Sequence, residues 1–244
     1  MKKSLSTLLA LSLGLCAHAQ ITFQKHIRVG IKAGVNASVF SKDVEPFDPR
    51  IPGYYDTFQN WARFSGHGGV TFDYHVTDRL SIGAELLYSG RGMSYREEND
   101  EAIIYTEDGE QQAYNYFNYK IDYMELPVTV QYNVLSPATN VRLGIYGGFA
   151  RGVALHKRTK LIFPEADGYD KPENEQNELM YVRNFSTSVI GGLKVSGKSL
   201  KTNPFADIRA SQMINPVFNR KSAPNGGNLD TRMFTLSLAV GVQF

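Results

Sequence analysis

The chain has 244 residues, a formal net charge of +2, one Cys and one Trp, beside 14 Tyr, 14 Phe and 22 Gly. Near-neutrality gives no electrostatic footprint for a nucleic acid. A single Cys forms no internal disulfide, and no apolar run reaches the ~20 residues of a membrane-spanning helix.

Met1-Lys2-Lys3, an apolar run over residues 5–15 and Ala17-His18-Ala19 have the order of a secretory signal peptide, with cleavage expected after Ala19. Leu15 before Cys16 argues against lipoprotein processing, so the expected organisation is a signal peptide at 1–19 and one domain at 20–244. Without Cys16 the mature chain has no Cys-ligated metal site, and no cofactor is expected.

Period-two alternation, which sends successive side chains to opposite faces of a strand, dominates the rest of the chain. Val29, Ile31, Ala33, Val35, Ala37 and Val39 oppose Gly30, Lys32, Gly34, Asn36 and Ser38. Phe64, Gly66, Gly68, Val70, Phe72 and Tyr74 oppose Ser65, His67, Gly69, Thr71 and Asp73. Leu80 to Tyr88 and Met124 to Tyr132 repeat the pattern, with Glu85 and Glu125 on their polar faces. Val141 to Phe149, Phe185 to Val195 and Phe205 to Ser211 carry Arg142, Lys194, Asp207 and Arg209 on theirs. Phe234, Leu236, Leu238, Val240, Val242 and Phe244 close the chain, opposed by Thr235, Ser237, Ala239, Gly241 and Gln243. Eight strands are expected.

The connections sort by length. Residues 76–79, 135–140 and 197–203 are short, whereas 41–60, 91–118, 156–182 and 212–231 are long and polar. Outer-membrane barrels have short periplasmic turns and long extracellular loops. The expected fold is therefore all-β, an eight-stranded antiparallel up-and-down transmembrane β-barrel with both termini on the periplasmic side. A lipocalin-like soluble barrel shares the alternation but turns its apolar faces inward.

Aromatic residues bracket the apolar faces: Phe64 and Tyr74 on the second strand, Phe234 and Phe244 on the last. Tyr88, Phe149 and Phe185 fall at outer strand ends and Tyr132 at an inner one, the positions of an interfacial girdle. The inward faces carry Lys32, Arg142, Lys194 and Arg209 against Asp73, Glu85, Glu125 and Asp207, a self-neutralising set rather than a charge-selective filter. Glu85 and Glu125 are expected to share a bridging cation, Arg209 before Lys32 or Arg142. About eight strands leave room for side chains but not for a continuous path.

The motif Gly30-Ile31-Lys32-Ala33-Gly34-Val35-Asn36 resembles the opening of the PorT-like outer-membrane β-barrel domain of Bacteroidetes, and LSIGAELLYSGRG at 80–92 and YMELPVTVQYN at 123–133 resemble its internal strands. Residues 146–153 and 238–244 fit as well. The resemblance implies an outer-membrane barrel, and its motifs carry no catalytic residues. One branch of that family assists secretion, but nothing here matches that branch. Phe244 on an alternating last strand resembles the signal read by the barrel-insertion machinery.

No HExxH, GxSxG or P-loop pattern occurs, and His67 and His75 are eight residues apart on one strand, roughly 27 Å at strand rise. No enzyme is expected. Lys157, Arg158 and Lys160, in the third long connection, are candidates for lipopolysaccharide phosphates, beside outer-membrane lipid as the general partner and a protein partner at the long loops. Glu97, Glu98, Asp100, Glu101, Glu107, Asp108 and Glu110 make the second long connection acidic but lack Ca²⁺-loop spacing. Ile103 to Thr106 and Tyr114 to Phe117 flank Asp108-Gly109, so a hairpin is expected there. Phe117, Tyr119, Ile121 and Tyr123 have the opposite parity from Leu126, Val128 and Val130, for which a β-bulge at Met124 or Glu125 is expected.

Overall fold

The computed structural model describes residues 27–42, 59–106, 109–135, 140–166, 169–179, 181–197, 202–219 and 230–244. The expected signal peptide at 1–19 lies outside them. The strands are β1 (Ile27–Phe40), β2 (Gln59–Trp61), β3 (Arg63–His75), β4 (Leu80–Thr106), β5 (Gly109–Asn133), β6 (Val141–Ile162), β7 (Glu175–Glu178), β8 (Phe185–Gly197), β9 (Asn203–Met213) and β10 (Met233–Gln243).

Eight of them close a ring in the order β1-β3-β4-β5-β6-β8-β9-β10, with β10 returning to β1 through antiparallel pairing from Gly30↔Gln243 to Phe40↔Met233. Closure removes every sheet edge within the ring and pairs its backbone groups, which is what lets strands cross lipid. Register keeps like faces together: Ile31↔Val242 and Val35↔Leu238 lie on one face, Lys32↔Gly241 and Asn36↔Ser237 on the other. The apolar face is outside. Ile31 is 57% exposed and Val240 65%, whereas Lys32 is 4% and Asn36 1%. That polarity excludes the lipocalin-like alternative, in which the same residues would be interior.

The expected strands all occur, but three run much further than their alternation suggests. Most of the second long connection belongs to β4 and β5, paired from Leu80↔Tyr132 to Thr106↔Gly109. The start of the third belongs to β6, which reaches Ile162. Two unexpected short strands flank this wall, β2 on β4 and β7 on β6. The hairpin ladder ends at Thr106 paired with Gly109, so Gly109, with φ +120°, lies on the ladder rather than in the expected Asp108-Gly109 turn.

The expected bulge at Met124 or Glu125 is absent: Leu87↔Glu125, Tyr88↔Met124 and Ser89↔Tyr123 pair in unbroken register. The parity inverts because the surroundings change, not the backbone. Below Met124 the outside of the wall is lipid, and apolar side chains point out. Above it the outside is water, so apolar side chains turn to the interior. Phe40, Met93, Met213 and Met233 show the same inversion at the top of β1, β4, β9 and β10, each at most 7% exposed. A register shift lies instead on β6, where Asp122↔His156 is succeeded by Tyr123↔Ala154 and Leu155 is the extra residue.

These inward residues build a compact core in the mouth at the long-connection end. Phe40, Tyr95, Phe117, Tyr119, Ile121 and Tyr123 pack with Met93, Met213 and Met233. Leu179, Val182, Val217 and Phe218 cover them from two connections, tied by the Val182↔Phe218 bridge and by Val217 N–H donating to Thr231 O at 2.9 Å. Tyr119 sits at the centre, its ring centroid 5.0 Å from Phe117, 5.7 Å from Phe40 and 6.3 Å from Phe218. At the opposite end, the turn at 76–79 is pinned by Leu80 N–H donating to Thr77 Oγ1 at 2.9 Å.

Candidate functional site: the lumen and the wall above the girdle

The lumen is layered. Nearest the turns, Lys194 reaches across to Asp73 at 2.6 Å, Gln243 Nε2 donates to the same carboxylate at 2.6 Å, and the Lys194 ammonium lies 4.5 Å from the centroid of Phe205. Asp73 is thus held by both Lys194 and Gln243.

The next layer is the densest. Glu85 takes Lys32 at 2.9 Å and Arg209 at 2.9 Å, while Asp207 takes Lys32 at 2.9 Å, Arg209 at 3.4 Å and the hydroxyl of Tyr146. Arg209 Nε also donates to Tyr146 Oη at 3.1 Å. Gly192 makes room for that ring, since a Cβ there would meet Tyr146 Oη at 2.5 Å. Two cations between two carboxylates give each charge more than one partner, the arrangement in which a buried charge is tolerated.

Above it, Asn36 Nδ2 donates to Ser89 Oγ at 3.0 Å and Ser237 Oγ to Asn36 Oδ1 at 2.7 Å. Glu125 is held by Arg91 at 2.7 Å. Arg209 therefore bridges to Glu85, as expected, but not to Glu125. Arg91 lies in the second long connection by sequence, and only the continuation of β4 turns it inward. Arg142 does not join the network: it is half-buried near the turn end, with no ion pair among the described residues. Arg28, on the same rim, escapes sequence reasoning because it precedes the first alternating residue.

The eight residues expected to form the aromatic girdle share the outer face. Phe64, Tyr74, Tyr88, Tyr132, Phe149, Phe185, Phe234 and Phe244 all face outward, between 39% and 69% exposed.

Lys157, Arg158 and Lys160 lie on a strand, β6, rather than in a loop, and they divide between its faces. Lys157 donates to Asn184 Oδ1 at 2.7 Å, whereas Arg158 and Lys160 share the outer face with Lys120 of β5 and Arg63 of β3. Burial, together with the cations of Arg63, Lys160 and Arg158, holds the Lys120 ammonium below the usual lysine range, against the pull of Asp122. Lys120 and Arg63 escape the sequence reading because neither sits in a charge run.

A closed ring with an apolar outer belt, aromatic borders and a salt-bridged interior defines a transmembrane β-barrel. Over residues 18–219 the chain matches the family model of the outer membrane protein beta-barrel domain, and it belongs to that family of outer-membrane proteins. Comparison with curated proteins finds no match. Among solved structures, the chain is similar to Ail, the attachment invasion locus protein of Yersinia pestis, crystallised with the heparin analogue sucrose octasulfate (11% identity over 90% of this chain and 99% of that one, TM-score 0.36). Neisserial surface protein A is similar too (13% identity, 89% and 97%, TM-score 0.39), as is the outer membrane protease OmpT of Escherichia coli (10% identity, 91% and 97%, TM-score 0.44). None of these likenesses is close enough to transfer a ligand or an activity to this chain.

Proposed function

We propose that this outer-membrane barrel is a closed anchor that passes no solute, performs no chemistry and holds a rigid wall of β-structure outside the cell. The observation that carries this is the pair of obstructions in series along the lumen. The ion-paired layer of Lys32, Glu85, Asp207 and Arg209 spans the middle, and the core around Tyr119 and Phe218 fills the outer mouth. A charge-selective pore needs an unbalanced ring of one sign around an open path; here cations and carboxylates neutralise one another across it. The carboxylates of these layers are each held by a lysine or arginine, which argues against one of them serving as a free general base beside a nucleophile.

The finer reading comes from the sequence. The PorT-like motifs support membership of the PorT-like group of outer-membrane barrels, residues 1–19 direct export and are removed, and the last strand ending in Phe244 engages the insertion machinery. Lipopolysaccharide surrounds the outer girdle, and a protein partner meets the projecting wall formed by β2, β4, β5, β6 and β7.

Single-channel recording on purified protein in planar bilayers tests the proposal. Closed traces over a range of voltage and salt are expected. Stable, reproducible open levels would replace the anchor with a channel.

A further inference from the structure

The outward face of β4, β5 and β6 changes character level by level above the girdle. At the lowest level Tyr88, Met124 and Val153 lie side by side, all exposed and apolar in body. One step up, Asp122 stands beside His156, with 3.7 Å between carboxylate and imidazole, and accepts a hydrogen bond from the Tyr88 hydroxyl. One step further, Gly92, Lys120 and Arg158 are direct cross-strand partners. Lys160 comes next on the same face of β6, and Arg63 lies over Gly92, where its Cδ would stand 3.3 Å from a Cβ. Arg63 is held there because Nη1 donates to Arg91 O.

Like charges directly opposite on a ladder repel, and Lys120↔Arg158 is such a pair. Arg63 and Lys160 add to the repulsion that Lys120 feels. The bordering acids are Asp122, already shared with Tyr88 and His156, and Glu178, which faces Arg158 from β7. Asp122 also acts on Arg63 and Lys120, yet four cations face only these two acids, and that excess of positive charge on a regular sheet suits an external anion.

Its height says which anion. Lys120 is four residues above Met124, about 13 Å along the strand and about 10 Å once strand tilt is allowed for. The headgroup layer extends about 5–8 Å beyond the hydrocarbon, and the stems of Lys and Arg bend down toward it.

We propose that Arg63, Lys120, Arg158 and Lys160 form a binding site for the phosphate of a phosphorylated lipid headgroup in the outer leaflet. Arg63 and Arg158 supply planar forks to the phosphate oxygens and the two lysines supply point charges. The site rests on the reading that the long wall faces outward. Binding in detergent does not require that orientation, so the two ideas fail separately.

The test is retention of bis-phosphorylated lipid A by full-length protein in detergent micelles, read by native mass spectrometry, with phosphate-free lipid A and inorganic phosphate as the other arms. Wild type should retain the phosphorylated lipid and shed the phosphate-free one. The variant Lys120→Ala/Arg158→Ala should hold it at least on the order of tenfold more weakly, the loss expected for one charge-assisted contact, with its β circular dichroism unchanged. Lys157→Ala, on the other face, should bind as wild type does. Equal retention by wild type and the double variant, or equal retention of both lipids, would overturn the site. Competition by inorganic phosphate at the lipid's own concentration would overturn the lipid assignment in favour of a soluble phosphate. Should the double variant fail to fold, Arg63→Gln and Lys160→Gln carry the same expectation singly.

Discussion

Glu85 receives two cations in a lumen where its side chain is 11% exposed, so removing it strands charge on both sides. Glu85→Ala leaves Lys32 and Arg209 to share Asp207, and a broken buried ion pair costs about 3–5 kcal/mol. Urea unfolding monitored by circular dichroism should show a loss of that size while conductance stays at baseline. Arg91 and Glu125 permit a sharper comparison. Arg91→Met alone abandons a buried carboxylate and should destabilise strongly, whereas Arg91→Met/Glu125→Leu removes both charges and should recover most of the loss. A double variant as unstable as the single would show that the pair acts through packing rather than charge. The central layer was legible in the sequence because Lys32, Glu85, Asp207 and Arg209 fall on the small-residue face of strongly alternating strands. The Arg91–Glu125 pair was not, since Arg91 comes after Ser89-Gly90 and before a Gly, where alternation fades into what reads as loop.

At the scale of strands, β4, β5 and β6 form one ladder from the turns to the tip, and the upper part should be as protected as the part in lipid. Hydrogen exchange is expected to be slow from Ser89 to Arg96 and from Phe117 to Tyr123, and faster beyond the irregularity between Asn99 and Ile103. Uniformly fast exchange above Tyr88 would contradict a rigid wall. On intact cells a protease specific for acidic residues should cut near Asp170 and Glu173, on the exposed connection, and spare Asp78 in the opposite turn; cutting at Asp78 alone would invert the orientation. Strand existence was readable wherever one face meets lipid and the other a narrow interior, because that contrast forces strict alternation. Strand length was not. Alternation assigns an apolar face without saying whether lipid or a core receives it, so Phe117, Tyr119, Ile121 and Tyr123 suggested a break in the backbone. The actual break, at Leu155, leaves Leu155 and His156 exposed in succession, and one apolar residue beside one polar residue leaves no mark in the pattern.

For the whole molecule, the two obstructions should be independent, because the aromatic mouth and the ion-paired layer share no residue. Phe218→Ala should loosen the mouth and still give no conductance, since the layer around Glu85 lies beneath it; open levels from that single change would make the aromatic core the sole seal. The same core carries a thermodynamic consequence. A membrane belt keeps its apolar side chains in lipid whether or not the strands are paired, so its assembly transfers little apolar surface out of water. The cluster around Tyr119 forms in water, and its formation withdraws such surface, which lowers the heat capacity of the folded state. Calorimetry should therefore find two kinds of stability stacked in one barrel. The extramembrane dome should melt with a positive heat-capacity increment and weaken on cooling, while the belt below should respond more flatly to temperature.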